Sequence, residues 1–262
     1  MQRKITTILL SITLLLLLIV SSACSTFAPP PTPTNTPNPP TATATITATP
    51  TKTLVPTNTP RPTATPNLAA TQKFEGFHQE IQSYYDLGYV ASTDGNVKEF
   101  DDFEYEWAQL GWYNWLPLGR DVSKFAMSAH FKWMSAYKNA DESGCGFAFA
   151  IQPDQGHYAV FLDRSKIIFL DADSSYGSYA RFVGLTSGTG HVKFDNPAEA
   201  DFTLVVNGID AYVLVNNDLV GRYTLAKSRI LQGDVGLTVL SGTNKDYGTR
   251  CEMTNLHLFE LK

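Results

Sequence analysis

The segment Glu199–Leu225, EADFTLVVNGIDAYVLVNNDLVGRYTL, decides the fold of this 262-residue chain. Apolar side chains alternate with others over Phe202–Val206, which is typical of a strand with one buried face. Asn207-Gly208 supplies the positive-φ pair that a tight hairpin turn requires, and Ala211–Val215 then returns as a second strand. Such a meander needs a facing sheet to bury its apolar side, so the segment predicts a β-sandwich.

Three short motifs in this region resemble one class of proteins. They are Val-Val-Asn-Gly ending at Gly208, Val-Leu-Val-Asn-Asn-Asp-Leu-Val ending at Val220, and Gly-Asp-Val-Gly-Leu over Gly233–Leu237. Together they resemble laminin-G-like and concanavalin-like lectin and glucanase domains. The resemblance implies a jelly-roll fold, and it implies glycan binding, protein adhesion or glycoside hydrolysis as the class of function.

The rest of the C-terminal part agrees with this fold class. The clean alternation over Phe125–Tyr137 predicts a long half-buried strand of an antiparallel sheet. Helical spacing predicts a short helix over Asn67–Leu87 that ends at Gly88, and Tyr89–Ser92 reads as a first strand followed by a hairpin turn. Further strands are expected at Gly144–Gln152, Tyr158–Leu162, Ile167–Leu170 and Cys251–Leu261. We therefore predict an all-β, antiparallel two-sheet jelly-roll sandwich over residues 67–262, preceded by a short helix.

The first 24 residues have the pattern of an export signal. Arg3 and Lys4 precede the apolar run Ile5–Val20, and small residues lead to Cys24. The end of this pattern resembles a bacterial lipobox, which implies cleavage after residue 23 and acylation of Cys24. Ser21 departs from it, and secretion after ordinary cleavage or an uncleaved anchor stay open. The expected location is the outer face of a bacterial membrane, with the lipidated N-terminus as the membrane contact.

Residues 24–66 form a compositionally distinct linker. Twelve of the 15 prolines lie between Pro29 and Pro66, alternating mainly with Thr, Ala and Asn. Apolar residues do not recur in it at helix or strand spacing, so it cannot bury enough apolar surface to offset the loss of conformational entropy on folding. The segment is therefore expected to stay extended and disordered. A reach of up to about 120 Å in polyproline form suits a spacer.

Charge excludes one class of partner. The only charged residues before Asn67 are basic, namely Arg3, Lys4, Lys52 and Arg61, so the predicted domain carries 16 basic and 25 acidic residues. Binding to phosphate backbones needs a basic surface. We therefore expect no nucleic-acid partner.

The segment Asp101–Leu118, DDFEYEWAQLGWYNWLPL, is the most aromatic part of the chain. Aromatic rings offer faces for sugar rings, and neighbouring polar groups can hydrogen-bond hydroxyls; the alternative is that the rings close one end of the core. Trp107, inside an alternating run, is predicted to lie in the core, whereas Gly111 and Pro117 favour positions near loops for Trp112 and Trp115. The candidate ligand-binding residues are Trp112, Trp115, Tyr113, Asn114, Glu104 and Glu106.

Cys145 and Cys251 are predicted to form a disulfide, because two cysteines in strands of an exported protein are usually bridged. Free buried thiols are the alternative. A nucleophilic role is disfavoured, since Cys145 lies between two glycines and has no histidine near it in sequence.

The sequence shows no catalytic or cofactor motif. Glu104 and Glu106 could share a strand face, but the Glu-x-Asp-x-x-Glu run of the related glucanases is missing. Asp171–Gly177 fails the register of an EF-hand, so a solvated turn is expected there and no metal or other cofactor. The leading hypothesis is a non-catalytic domain that binds a polysaccharide or another surface component. The alternatives are a glycoside hydrolase with an unrecognised site and a structural envelope protein.

Overall fold

The computed structural model describes residues 68–140, 142–154, 156–173, 180–187 and 194–262. The predicted export signal, Cys24 and the Pro/Thr linker lie outside the described residues, as does Ser174–Gly177. Among the residues that the structure describes, no helix has the length and apolarity needed to cross a membrane.

The described residues form one helix and thirteen strands. Helix α1 spans Leu68–Asp86. The strands are β1 (Gly95–Glu99), β2 (Phe103–Trp107), β3 (Trp112–Val122), β4 (Phe125–Ser135), β5 (Gly144–Ile151), β6 (His157–Asp163), β7 (Lys166–Ala172), β8 (Arg181–Ser187), β9 (Ala198–Asn207), β10 (Asp210–Val215), β11 (Asp218–Thr224), β12 (Gly233–Ser241) and β13 (Thr249–Leu261).

The strands form two antiparallel sheets. The larger sheet has the order β1-β13-β4-β9-β10-β11, with β2 also paired to β13, and the smaller sheet has the order β3-β12-β5-β6-β7-β8. The two sheets face each other across a shared core. The predicted all-β, antiparallel two-sheet jelly-roll sandwich with one short preceding helix is confirmed.

The core follows from the alternation along the strands. On β4, every second side chain from Phe125 to Trp133 is buried inside the sandwich, as predicted. Phe131 of the larger sheet packs against Phe147 of the smaller sheet, with ring centroids 5.2 Å apart. Cys145 on β5 and Cys251 on β13 form the predicted disulfide, which joins the two sheets within the core.

The two hairpin turns in the deciding segment differ from each other. The first loop is Gly208-Ile209, with a φ of 62° at Gly208, and Asn207 is the last residue of its strand, so the predicted Asn-Gly positive-φ pair is wrong. In the second loop, Asn216 and Asn217 have φ values of 51° and 68°. Positive φ at both central residues matches the right-handed twist of a strand pair, and asparagine tolerates it better than most residues.

Helix α1 ends as the sequence predicts and packs on the outside of the larger sheet. Gly88 has a φ of 75°, and the amide of Tyr89 donates to the carbonyl oxygen of Tyr84 in a Schellman arrangement. The helix and the segment after it bury Ile81, Tyr84 and Val90 against five side chains of the larger sheet: Ala126, Val205, Tyr212, Leu214 and Phe259. The predicted first strand at Tyr89–Ser92 is wrong. Val90 packs in this cluster from an irregular segment, and the first strand begins at Gly95.

Candidate ligand-binding site

The aromatic segment crosses from one sheet to the other. Strand β2 lies at an edge of the larger sheet, β3 is an edge strand of the smaller sheet, and the connection 108–111 joins them. One side of the sandwich therefore has β2 and β3 facing each other. We call the surface between them the edge seam, and we define it by Tyr105 on β2 with Trp112, Asn114 and Leu116 on β3.

A hydrogen bond fixes the two sides of the edge seam. The side-chain amide of Asn114 donates to the Tyr105 hydroxyl at 2.8 Å, and Tyr105 itself packs against the core. The main-chain carbonyl of Asn114 accepts from the Thr238 hydroxyl at 2.7 Å. The first contact orients the Asn114 side chain, and the second ties its main chain to β12. The side-chain carbonyl oxygen of Asn114 accepts no hydrogen bond from the described residues.

Apolar side chains flank this polar centre. Trp112 is 50% exposed and Leu116 is 37% exposed, and both lie on the same side of β3 as Asn114. Residues two positions apart on a strand share a face and are about 7 Å apart. The seam therefore presents an indole, an amide and an aliphatic side chain in a row about 14 Å long. Tryptophan is enriched among the residues that dominate the energy of binding interfaces.

Trp115 and Tyr113 lie on the opposite face of β3. They pair with Thr238 and Leu240, which face away from the core on the outer side of the smaller sheet. There the Tyr113 hydroxyl is 2.9 Å from Nε2 of His157, and the Trp115 ring lies 4.3 Å from the buried His157 ring. Burial, together with the negative charge of Asp171, raises the pKa of Tyr113 well above its usual range. The contacts assign these rings to a packing role over His157.

Glu104 and Glu106 are on a third surface. They alternate with the core-facing residues of β2, so both project from the outer face of the larger sheet. Glu106 accepts a hydrogen bond from Nε of Arg250 at 2.7 Å, and Glu104 lies opposite Glu252 on β13. Neither carboxylate faces the edge seam.

The six candidate residues are thus divided among three surfaces. Successive side chains of a strand point to opposite faces of the sheet. Trp115 follows Trp112 by three residues on β3, so the two rings lie on opposite faces. Trp115 lies within the strand and not near a loop as expected, whereas Trp107 packs against the core as predicted. Whether Trp112, Asn114 or any other candidate contacts a ligand stays a prediction. Leu116 was missed, although its alternation with Trp112 and Asn114 was visible once a strand was assumed.

The acidic turn that superficially resembles a calcium loop has a structural role in its described part. Asp171 is buried, and its carboxylate lies 3.4 Å from Nε of Arg229; Asp173 also pairs with Arg229. The expectation of a solvated turn is therefore wrong for Asp171. Its carboxylate faces the guanidinium of Arg229, which belongs to the β11–β12 connection. Within the described ranges, no group of three or more His, Cys, Asp or Glu side chains is arranged to hold a metal ion.

Comparisons with known proteins give similarity at the level of the fold. No protein-family model and no curated protein sequence matches the chain. Among solved structures, the carbohydrate-binding module CBM66 from Bacillus subtilis matches with a TM-score of 0.45 and 11% identity, over 65% of this chain and 99% of that one. The VIP36 exoplasmic/lumenal domain matches at 0.44 and 11%, over 64% and 83%, and sheep galectin-11 at 0.39 and 11%, over 57% and 98%. These values are too low to carry an argument about function.

Proposed function

We propose that the domain binds a polysaccharide chain along the edge seam without cleaving it. The observation that carries the proposal is the half-exposed Trp112 beside the fixed amide of Asn114. An indole face can stack on the C–H face of a sugar ring, and an oriented amide can bind a hydroxyl. Small-ligand sites combine apolar and aromatic contact area with a few well-placed polar groups in this way.

The charge around the seam favours an uncharged ligand. The seam residues Tyr105, Trp112, Asn114 and Leu116 carry no charge, and the domain as a whole has an acidic excess. The nearby carboxylates Glu104 and Glu106 face outward from β2. A polyanionic glycan would be repelled by the domain, whereas a neutral chain would not.

The proposal is tested by replacing the exposed indole. Trp112→Ala is expected to weaken binding by about tenfold or more, since truncating a central tryptophan of an interface typically has an effect of this size. Stability should change little, because half of the ring is already in water. Affinity electrophoresis through gels that contain β-glucan, xylan, levan or polygalacturonate measures the effect.

Tyr85→Ala provides the matched control. Tyr85 is 47% exposed and lies on α1, so the variant also removes a half-exposed aromatic ring. It should be retarded like the wild type. Equal retardation of wild type and Trp112→Ala would contradict the assignment of the seam. No retardation of the wild type on any gel would contradict glycan binding and favour the structural alternative.

We also propose that the domain is held outside a bacterial membrane by a lipid on Cys24. The support is the sequence alone: the basic and apolar residues before Cys24, and the Pro/Thr-rich segment after it. A tethered array would raise the avidity of weak individual contacts. Mass spectrometry of the N-terminal peptide from membrane fractions should find acylated Cys24, and an unmodified protein in the medium would contradict the tether.

A further inference from the structure

The contact between α1 and the larger sheet contains a partly buried ion pair. The Glu80 carboxylate faces the sheet and lies 2.8 Å from Nε2 of His257 on β13. Its other oxygen accepts from the hydroxyls of Ser128 and Tyr84, each at 2.8 Å. Ser128 is also 2.8 Å from Thr203, so one network runs from α1 through β13 and β4 to β9.

The geometry around His257 requires a charged ring. Its Nδ1 lies 2.9 Å from the main-chain carbonyl oxygen of Asn255, and its Nε2 faces the Glu80 carboxylate. A main-chain carbonyl and an ionised carboxylate can only accept hydrogen bonds, so while Glu80 is ionised both ring nitrogens must donate, and only the imidazolium carries two N–H groups. A neutral ring would direct a lone pair at a carboxylate or at a carbonyl.

A second carboxylate near His257 also favours the imidazolium. It belongs to Glu99 on the adjacent strand β1, and Glu99 itself pairs with Lys73 of α1. Tyr84 of α1 stays neutral, because burial and the Glu80 charge raise its pKa. From β4 and β9 the facing groups are the uncharged hydroxyls of Ser128 and Thr203.

We propose that α1 is a pH-sensitive clasp, which docks on the larger sheet while Glu80 is ionised and His257 is protonated and opens more readily outside that window. The packed cluster around Ile81 and Tyr84 holds the helix, and the ion pair adjusts its opening equilibrium. Since α1 follows the Pro/Thr-rich segment in sequence, an opened helix of 19 residues would add about 28 Å to the chain before the sandwich.

The pKa shifts of His257 and Glu80 set the upper and lower pH limits of tight docking. Burial opposes the charged form of His257, but the hydrogen bond and charge of Glu80 outweigh it and raise its pKa above the ordinary 6.5. Docking therefore weakens as pH rises from 6.5 through the raised value. Burial likewise opposes the Glu80 carboxylate, but its partners lower its pKa below the ordinary 4.5, so docking also weakens as pH falls below 4.5. The clasp is tightest between these limits.

Hydrogen exchange of the full chain between pH 4 and 9, corrected for intrinsic exchange, tests this proposal. The opening constant of α1 amides should rise up to tenfold per pH unit just above pH 6.5 and then level off, while amides of β4 keep their protection. His257→Gln should remove this rise, whichever state the helix then adopts. Glu80→Gln should reduce or abolish the rise, because without the carboxylate nothing of comparable size offsets the burial that lowers the pKa of docked His257.

His130→Gln is the matched control. His130 lies on the same outer face of the sheet between Asp201 and Glu199, at 2.8 and 3.0 Å, and those carboxylates likewise raise its pKa against the effect of burial. It is not part of the α1 contact, so this variant should keep the wild-type profile of α1. A flat wild-type profile across pH 6.5 to 9, or a rise that survives in His257→Gln, would overturn the proposal.

Discussion

Replacing Cys145 and Cys251 together by alanine is expected to lower the free energy of unfolding by about 4 to 5 kcal/mol. The two residues are 106 positions apart in sequence and their Cα atoms lie 5.8 Å apart. In the chain-entropy model, a cross-link that closes a loop near 100 residues restricts the unfolded chain by about this amount. Both side chains are fully buried, so any cavity that the smaller residues leave adds to the loss.

Urea unfolding of the variant and of the wild type, with and without reductant, measures this effect. Cys24→Ser is placed in every protein compared, so that only the core cysteines differ. Reduced wild type should approach the variant. If oxidised wild type and variant unfold within about 1 kcal/mol of each other, the disulfide does not cross-link the folded protein as described.

A methyl group added at Gly146 is expected to destabilise the fold by more than about 3 kcal/mol. Gly146 lies in β5 between β6 and β12, and a Cβ atom there would be 2.9 Å from the carbonyl carbon of Val160 and closer still to its oxygen. The obstacle is main chain in the middle of a sheet, which cannot move aside as a flexible side chain can. Gly146→Ala must therefore displace β5 from β6, beyond the usual cost of overpacking a core.

Gly76→Ala is the paired control, because nothing lies within 4 Å of a Cβ atom at this position of α1. Alanine is the better helix former, so this variant should be neutral or more stable by up to about 1 kcal/mol. Thermal or urea unfolding of the two variants beside wild type is sufficient. Equal stability of Gly146→Ala and wild type would contradict the close approach of β5 and β6.

The sequence predicted those parts of the fold that depend on local pattern. The alternation on β4 shows one buried face, and Gly88 marks the end of α1 because a left-handed residue is needed there. Turn geometry was harder: Asn207-Gly208 and Asn216-Asn217 are both plausible pairs of positive φ, and only the second adopts it. Which pair occupies the two central positions of its turn depends on the register of the flanking strands, and the turn residues alone do not determine that register.

The candidate site could be predicted only in part. Composition identified the aromatic segment, but which rings share a surface depends on where β3 begins and on which sheet it joins. The edge seam needs β2 and β3 in different sheets, and the hydrogen bond between Tyr105 and Asn114 follows from that crossing. Glu80 and His257 are 177 positions apart, so no local pattern links them. Their pairing depends on how α1 packs across the sheet.

The most direct test of the edge seam is a titration of the four tryptophan indole N–H signals with oligosaccharides of the polysaccharide that retards the wild type. The four rings differ in environment: Trp112 is half exposed, Trp107 and Trp115 are partly buried, and Trp133 is 1% exposed in the core. We predict that the Trp112 signal shifts progressively to saturation while the Trp133 signal stays in place. Saturation of binding with an unshifted Trp112 signal would contradict the account.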